Sequence, residues 1–344
     1  MKKKLLAILL CCAMVVTLGA CGGSGDSGNA GGSDASAEGA TYNWQVGSVL
    51  AEDQPWGVGL NKFAELLEEY SDGRITVTVQ HGGVLGSEIE MLESVQMGTL
   101  DMSIASTPSY SGFTDCMNYF DLPYLFPTHE VAWQVMDEWF AEDRLAALEG
   151  TGFKGLTYYD NGTYMVGSNV KITTPDQMKG LRIRSHSSQL QTASLAATGA
   201  NPVNVAYADI YTSLQNGTID GISGTTLTNL YGGKFHEQTD YIAMTGHCFM
   251  PAPIVMNEDL WNSLSAEDQE IVKRAAEDSA KYQREYSLEV ADTVMEEVLK
   301  AGIEVSDVDV AVWEAAMASV YDEWVGTAGI EQSVIDKVKE SVNQ

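Results

Sequence analysis

Along this chain the spacing of apolar residues switches repeatedly between a period of two and a helical period, and that alternation dictates the fold class. In the segment from Arg74 to Gln80, Ile75, Val77 and Val79 fall on one face, and Leu100, Met102 and Ile104 do the same further on. Both segments read as strands, because successive side chains of a strand point to opposite faces. Between them Ser87 and Glu90 stand in capping-box positions ahead of Met91, Leu92 and Val95, and Gly98 stops that helix. Upstream, Trp56, Leu60, Phe63 and Leu67 recur at helical spacing, with Pro55 near the start and Gly73 beyond the end. Residues 42–106 are therefore β-α-β-α-β, which implies a parallel sheet with helices on its faces. The pattern returns with predicted strands at 181–185, 202–205, 218–223 and 241–245 and helices at 187–198 and 207–216, making a second α/β lobe. Ser265 then opens a helical stretch to about Lys300. It is either two helices with a kink or one spine along both lobes.

The N-terminus indicates where such a chain resides. Lys2, Lys3 and Lys4 precede an apolar run from Leu5 to Leu18, followed by Gly19-Ala20-Cys21. A basic head, a short apolar core and a small-residue end read as a secretory signal over residues 1–20, too short for an ordinary membrane span. Leu18–Cys21 resembles the bacterial lipobox, which makes Cys21 the expected lipidation site. Residues 21–40 are then a Gly/Ser-rich tether, a flexible coil spanning roughly 25 Å. The expected location is extracytoplasmic, on a lipid anchor. Of the remaining cysteines, Cys116 and Cys248 lie far apart in sequence and read as buried thiols rather than a disulfide framework.

Charge and motifs exclude several functions. With 19 Lys+Arg against 48 Asp+Glu, the formal net charge is −29. Such a chain repels polyanions, so nucleic acid is not expected as a partner. The five histidines are scattered without metal-binding spacing, there is no G-x-S-x-G elbow, and no metal or cofactor is expected. What stands out is the scarcity of arginine: Arg74, Arg144, Arg182, Arg184, Arg274 and Arg284 only. Arg182 and Arg184 share one side of a predicted strand whose Leu181 and Ile183 face the core. Arg184 sits at the carboxyl end of that strand, where open α/β sheets bind ligands. Its guanidinium fork matches a carboxylate. The strand alone leaves two readings: an anion clamp, or two solvated arginines on a polar face.

Several ordered motifs carry a resemblance over essentially the whole body: 63–66 (FAEL), 71–74 (SDGR), 85–92 (LGSEIEML), 98–101 (GTLD), 120–126 (FDLPYLF), 199–202 (GANP), 210–215 (IYTSLQ), Asp220-Gly221 and Lys234-Phe235. The strongest is Met178-Lys-Gly-Leu-Arg-Ile-Arg184. The chain resembles the DctP family, the extracytoplasmic substrate-binding proteins of TRAP (tripartite ATP-independent periplasmic) transporters. The resemblance implies a two-lobed, periplasmic-binding-protein-like (type II) fold closing over one small organic acid, non-enzymatic and without cofactor. It also implies delivery to a permease of small and large membrane subunits. An ABC-type binding lipoprotein or a ligand sensor for a membrane receptor would share the two-lobe plan.

Under that resemblance, residues 41–161 plus 251–290 form lobe I, and 162–250 plus 291–344 form lobe II. Arg184 falls on the family's carboxylate-gripping arginine and Tyr207 on the aromatic that packs over the ligand. Glu88 falls on an acidic ligand-facing position, although interaction with its own helix dipole accounts for it as well. Ser106 and Ser187 are further lining candidates. Tyr164 stands where a second arginine is common in the family, Val49 replaces a polar residue, and Thr225 and Thr226 supply hydroxyls in a segment otherwise rich in asparagine or glutamate. One clamp with several hydroxyls implies a monocarboxylate or sugar acid rather than a dicarboxylate.

Overall fold

The structure, a computed structural model, describes residues 39–342. The expected signal peptide, Cys21 and nearly all of the tether lie outside the described residues. Strands β1 (Tyr42–Gly47), β2 (Ile75–Gln80) and β3 (Met102–Ile104) form the predicted parallel set, with Val46 opposite both Val79 and Met102. The helix Pro55–Tyr70 joins the first two and buries Trp56, Leu60, Phe63 and Leu67. The helix Glu88–Gln96 joins the next two, and its capping box is formed: the Ser87 hydroxyl accepts from the Glu90 amide, and the Glu90 carboxylate accepts from the Ser87 amide at 2.7 Å. The sheet is mixed rather than all parallel. β10 (Ala252–Asn257) runs antiparallel between β3 and β4 (Phe153–Tyr159), giving the order β2-β1-β3-β10-β4. Every residue of β10 is buried, so it has no alternation to betray it in sequence.

The second sheet contains β5 (Val166–Ser168), β6 (Arg182–Ser185), β7 (Asn201–Asn204), β8 (Gly221–Ile222), β9 (Tyr241–Met244) and β11 (Glu304–Asp307) in the order β11-β9-β5-β8-β6-β7. The chain passes between the sheets three times. Two of the passes, after β4 and before β10, pair with each other: the Tyr164 amide donates to the Cys248 carbonyl at 2.9 Å and the Met250 amide to the Gly162 carbonyl at 3.0 Å. The third is the helix Ala266–Lys300, one uninterrupted element of 35 residues, about 50 Å long. Ser265 caps it. Its Val272, Ala275, Ala276 and Ala280 belong to the core of the first sheet, and its Val294 and Val298 to that of the second. The single-spine reading therefore holds. The spine comes so close to the helix Pro55–Tyr70 that a Cβ on Gly59 would stand 2.6 Å from Gln283 Cγ.

Asp160, the first residue after β4, ties the crossover to the spine. Its Oδ1 accepts from Trp133 Nε1 at 3.0 Å and lies 2.6 Å from His129 Nε2; its Oδ2 accepts from Ser287 Oγ at 2.6 Å. Gln283 brackets its backbone, accepting from the amide at 2.7 Å and donating to the carbonyl at 2.8 Å. Burial, the largest effect, pushes the carboxyl up, but these bonds, that of His129 foremost, together hold it below its ordinary value.

The C-terminal segment departs from the expected lobe assignment. β11 joins the second sheet, but the helix Gln332–Val342 returns to the first lobe. There Ile335 and Val338 enter an aromatic core with Tyr119, Phe120 and Phe140, and Trp139 Nε1 donates to Ser341 Oγ. An exposed amphipathic helix shows which face it buries but not against which lobe, so sequence could not place it. Among the described residues both cysteines are free, with Cys248 buried and Cys116 only half-buried.

Removing the Asp160 carboxylate strands three buried or half-buried partners at once. Asp160→Ala should cost about 3 kcal/mol, read as a lowered urea midpoint, whereas a loss under about 1 kcal/mol would remove Asp160 from this role.

Candidate ligand-binding site

A cleft of about 680 Å³ opens between the two sheets, lined by Val49, Glu88 and Ser109 from the first lobe and by Arg184, His186 and Tyr207 from the second. That is ample for a small solute. Each contributor follows from local structure. Glu88 opens its capped helix, Ser106 and Ser109 sit in the turn after β3, and Arg184 and His186 lie at the carboxyl end of β6.

Arg184 is only 2% exposed. Its Nε donates to the Val205 carbonyl at 2.9 Å, and its Nη1 to the carbonyls of Ser223 at 3.2 Å and Gly224 at 2.6 Å. Gly224 has φ +64, and a Cβ there would stand 3.2 Å from Arg184 Nη1, so the turn needs glycine. Among the described residues no carboxylate pairs with the guanidinium, and Nη2 has no protein acceptor. Burial lowers its pKa, while the fields of Tyr164, Glu88 and Tyr207 act the other way. The neighbouring Arg182 differs in kind. It lies at the surface in a two-pronged pair with Asp220, Nη2 to Oδ1 at 2.6 Å and Nε to Oδ2 at 3.0 Å. The two arginines thus have separate roles: one holds β6 to the start of β8, and the other presents a charge to the cleft.

Opposite Arg184, Glu88 Oε2 accepts from Ser106 Oγ at 2.6 Å and from Ser109 Oγ. Burial pushes this carboxyl up, and the two hydroxyls, the Ser106 backbone and Arg184 oppose the shift. His186 Nε2 lies 3.0 Å from the same Ser106 Oγ and 3.6 Å from Glu88 Oε2. Burial, then the neighbouring Arg184, holds the imidazole well below its ordinary value, so it is neutral. Tyr207 presents its ring to the cleft and donates its hydroxyl to the Asn229 carbonyl at 3.1 Å.

Of the residues expected from sequence, Arg184, Tyr207, Glu88 and Ser187 line the cleft, and Ser106 stands directly behind Glu88. Tyr164, Thr225 and Thr226 are not among its lining residues; all three are buried behind it. The Tyr164 hydroxyl accepts from Gln191 Nε2 at 2.8 Å, and Thr226 bonds Thr228. The Thr225 hydroxyl has no partner. His186 and Ser109 were missed. His186 continues the i, i+2 series of Arg182 and Arg184, a signal that was available; Ser109 lies in a turn with no such pattern.

Behind the arginine, Gln191 Nε2 also donates to Asp121 Oδ1 at 2.7 Å. Burial pushes the Asp121 carboxyl up to about 7. Because the folded state holds this proton more tightly than the unfolded chain, its contribution to stability is full below the ordinary carboxylate range and is lost as pH rises to about 7. Asp121→Asn should therefore gain stability relative to the parent between pH 4 and pH 8, measured by urea unfolding at both. A difference that does not change with pH would mean that Asp121 titrates normally.

Comparison with known proteins agrees with this geometry. The family model described as bacterial extracellular solute-binding protein, family 7 (DctP) matches residues 46–327. The 2,3-diketo-L-gulonate-binding periplasmic protein YiaO of Escherichia coli (strain K12) is 30% identical, covering 81% of this chain and 86% of its own. The C4-dicarboxylate-binding periplasmic protein DctP of Rhodobacter capsulatus is 30% identical, covering 82% and 86%. A TRAP periplasmic solute-binding protein from Roseobacter denitrificans, solved with bound β-D-glucuronate, superposes with a TM-score of 0.81 at 27% identity, covering 88% of this chain and 98% of its own. The chain belongs to the DctP family, the extracytoplasmic solute-binding proteins of TRAP transporters.

Proposed function

We propose that this protein captures a small hydroxylated monocarboxylate, of the sugar-acid kind, and delivers it unaltered to a TRAP permease. The observation that carries the reading is Arg184: a buried guanidinium with an unused amino group at the cleft and, among the described residues, no carboxylate paired with it. A buried charge without a partner is costly, and a bound carboxylate supplies the partner. The relatives do not choose between ligands, since one is named for a sugar acid and another for C4-dicarboxylates at equal identity.

The charge around the cleft supports the monocarboxylate reading. Among its lining residues Arg184 is the one Lys or Arg, and it shares the lining with Glu88, Glu90 and Asp209. A first carboxylate meets the guanidinium; a second meets a negative field. Hydroxyls, by contrast, find Glu88, Ser109, Ser187 and Tyr207. Ligand touching both lobes favours the closed form over the open one. The same reading places the mature protein on the membrane through a lipid on Cys21, with no nucleic acid partner.

Arg184→Ala should lose about 2–5 kcal/mol of acid binding by calorimetry, and Arg184→Lys should also weaken it, since an ammonium does not reproduce the fork. Binding by Arg184→Ala within twofold of the parent removes Arg184 from the site. In a thermal-shift panel D-gluconate should stabilise the protein and D-glucarate, its dicarboxylate counterpart, should not; comparable shifts contradict the monocarboxylate reading. Cys21→Ser expressed in a bacterial host should release the protein from membranes on fractionation, and unchanged membrane retention would contradict the lipid anchor.

A further inference from the structure

His186 and its neighbours form a bridge between the lobes that acid capture alone does not require. The polarity of this bridge is fixed from both ends. The Ser187 amide lies 3.0 Å from His186 Nδ1, and an amide N–H can only donate. Nδ1 therefore carries the lone pair, and the ring proton sits on Nε2. Nε2–H then donates to Ser106 Oγ at 3.0 Å, and the Ser106 hydroxyl donates in turn to Glu88 Oε2 at 2.6 Å. Ser109 donates to the same oxygen, which keeps it an acceptor. The chain runs one way, from a neutral imidazole through a hydroxyl to a carboxylate.

Its members come from opposite sides of the cleft. Ser106, Ser109 and Glu88 belong to the first lobe, and His186 leaves β6 of the second, two residues after Arg184. A weaker bond runs parallel to it, Ser187 Oγ to the Pro108 carbonyl at 3.4 Å. We propose that His186 is an interlobe clasp: it fastens the end of the ligand-gripping strand to the first lobe, so that the strand holding the carboxylate is the strand that closes the cleft. Arg184 supplies the affinity for charge, and His186 sets how long the lobes stay shut. His186 is a positioning residue, and its effect falls on closure and on release rate. This assignment rests on the proposed acid site for its ligand readout, but not for its conformational one.

The test uses the body lacking residues 1–38, with His186→Phe, which keeps an aromatic ring and removes both nitrogens, and His186→Gln, whose amide nitrogen can replace Nε2–H. Small-angle scattering is recorded for each protein alone and with D-glucuronate or D-gluconate, and stopped-flow release rates are measured with the same two acids. His186→Phe should give a larger radius of gyration than the parent in at least one condition. It should also release acid about tenfold faster, the fold-change expected for one lost hydrogen bond. His186→Gln should track the parent in both. A double-mutant cycle with Ser106→Ala should be non-additive, because the two side chains share one bond.

His186→Phe matching the parent in scattering under every condition, or adding independently to Ser106→Ala, overturns the clasp. Failure of the acid reading looks different: neither acid binds the parent, or Arg184→Ala binds as the parent does. In either case scattering and the cycle, read on unfolding free energy, still decide on His186.

Discussion

The second lobe is organised around the buried guanidinium of Arg184. Arg184 reaches across the end of its own strand to carbonyls of the segments after β7 and β8, so three neighbouring chain ends are fixed by one side chain. A lysine could not do this, because its single ammonium lacks the fork that bonds backbone on one side and leaves an amino group on the other. The surroundings conform to that demand. Gly224 keeps Cβ out of the way, and Tyr164, Gln191 and Asp121 fill the space behind with hydrogen-bonded but uncharged or protonated groups. Under the proposed function, desolvation that would be a penalty in an ordinary fold becomes affinity for an anion.

Closure of such a site needs a frame that bends at one place. Each lobe has a core of its own, but the aromatic core around Phe120 also takes in Leu190 of the second lobe, and besides the three passages between the sheets the segment after β11 returns to the first lobe. The two pairing crossovers are short, and the spine is continuous, so relative motion has to be taken up near 160–165, 245–251 and the middle of the long helix. Asp160 sits at that junction and anchors the crossover to Gln283 and Ser287 of the spine. Hinge closure concentrates backbone change in a few element-terminal residues, and a fixed anchor beside them defines the axis. The crossover also approaches the cleft, because Tyr164 lies behind Arg184 with its hydroxyl accepting from Gln191 Nε2.

Much of this was legible in the sequence, and the failures have physical causes. Period-two strands and capped helices gave the β-α-β-α-β start, and Ser265 marked the start of the long helical stretch. β10 escaped because a strand buried on both faces shows no alternation. The helix Gln332–Val342 was assigned to the wrong lobe because amphipathicity is silent about its partner. At the site, scarcity and strand position drew attention to Arg184, but the family resemblance made it a clamp rather than a solvated arginine, and Glu88 came from that resemblance. Tyr164, Thr225 and Thr226 were drawn toward the ligand by their place in the family pattern, but the structure puts them behind the arginine. Ser109 depends on a turn after β3 whose path no local pattern dictates.

What Arg184 holds decides the function of the cleft. The most direct measurement is a crystal structure of the protein purified from its host with whatever solute it carries. One carboxylate oxygen within hydrogen-bond distance of Arg184 Nη2, hydroxyls toward Glu88, and no second carboxylate in the cleft is the predicted result. A neutral solute with nothing ionic at Nη2, or a dicarboxylate with its second group lodged beside Glu88, would contradict it.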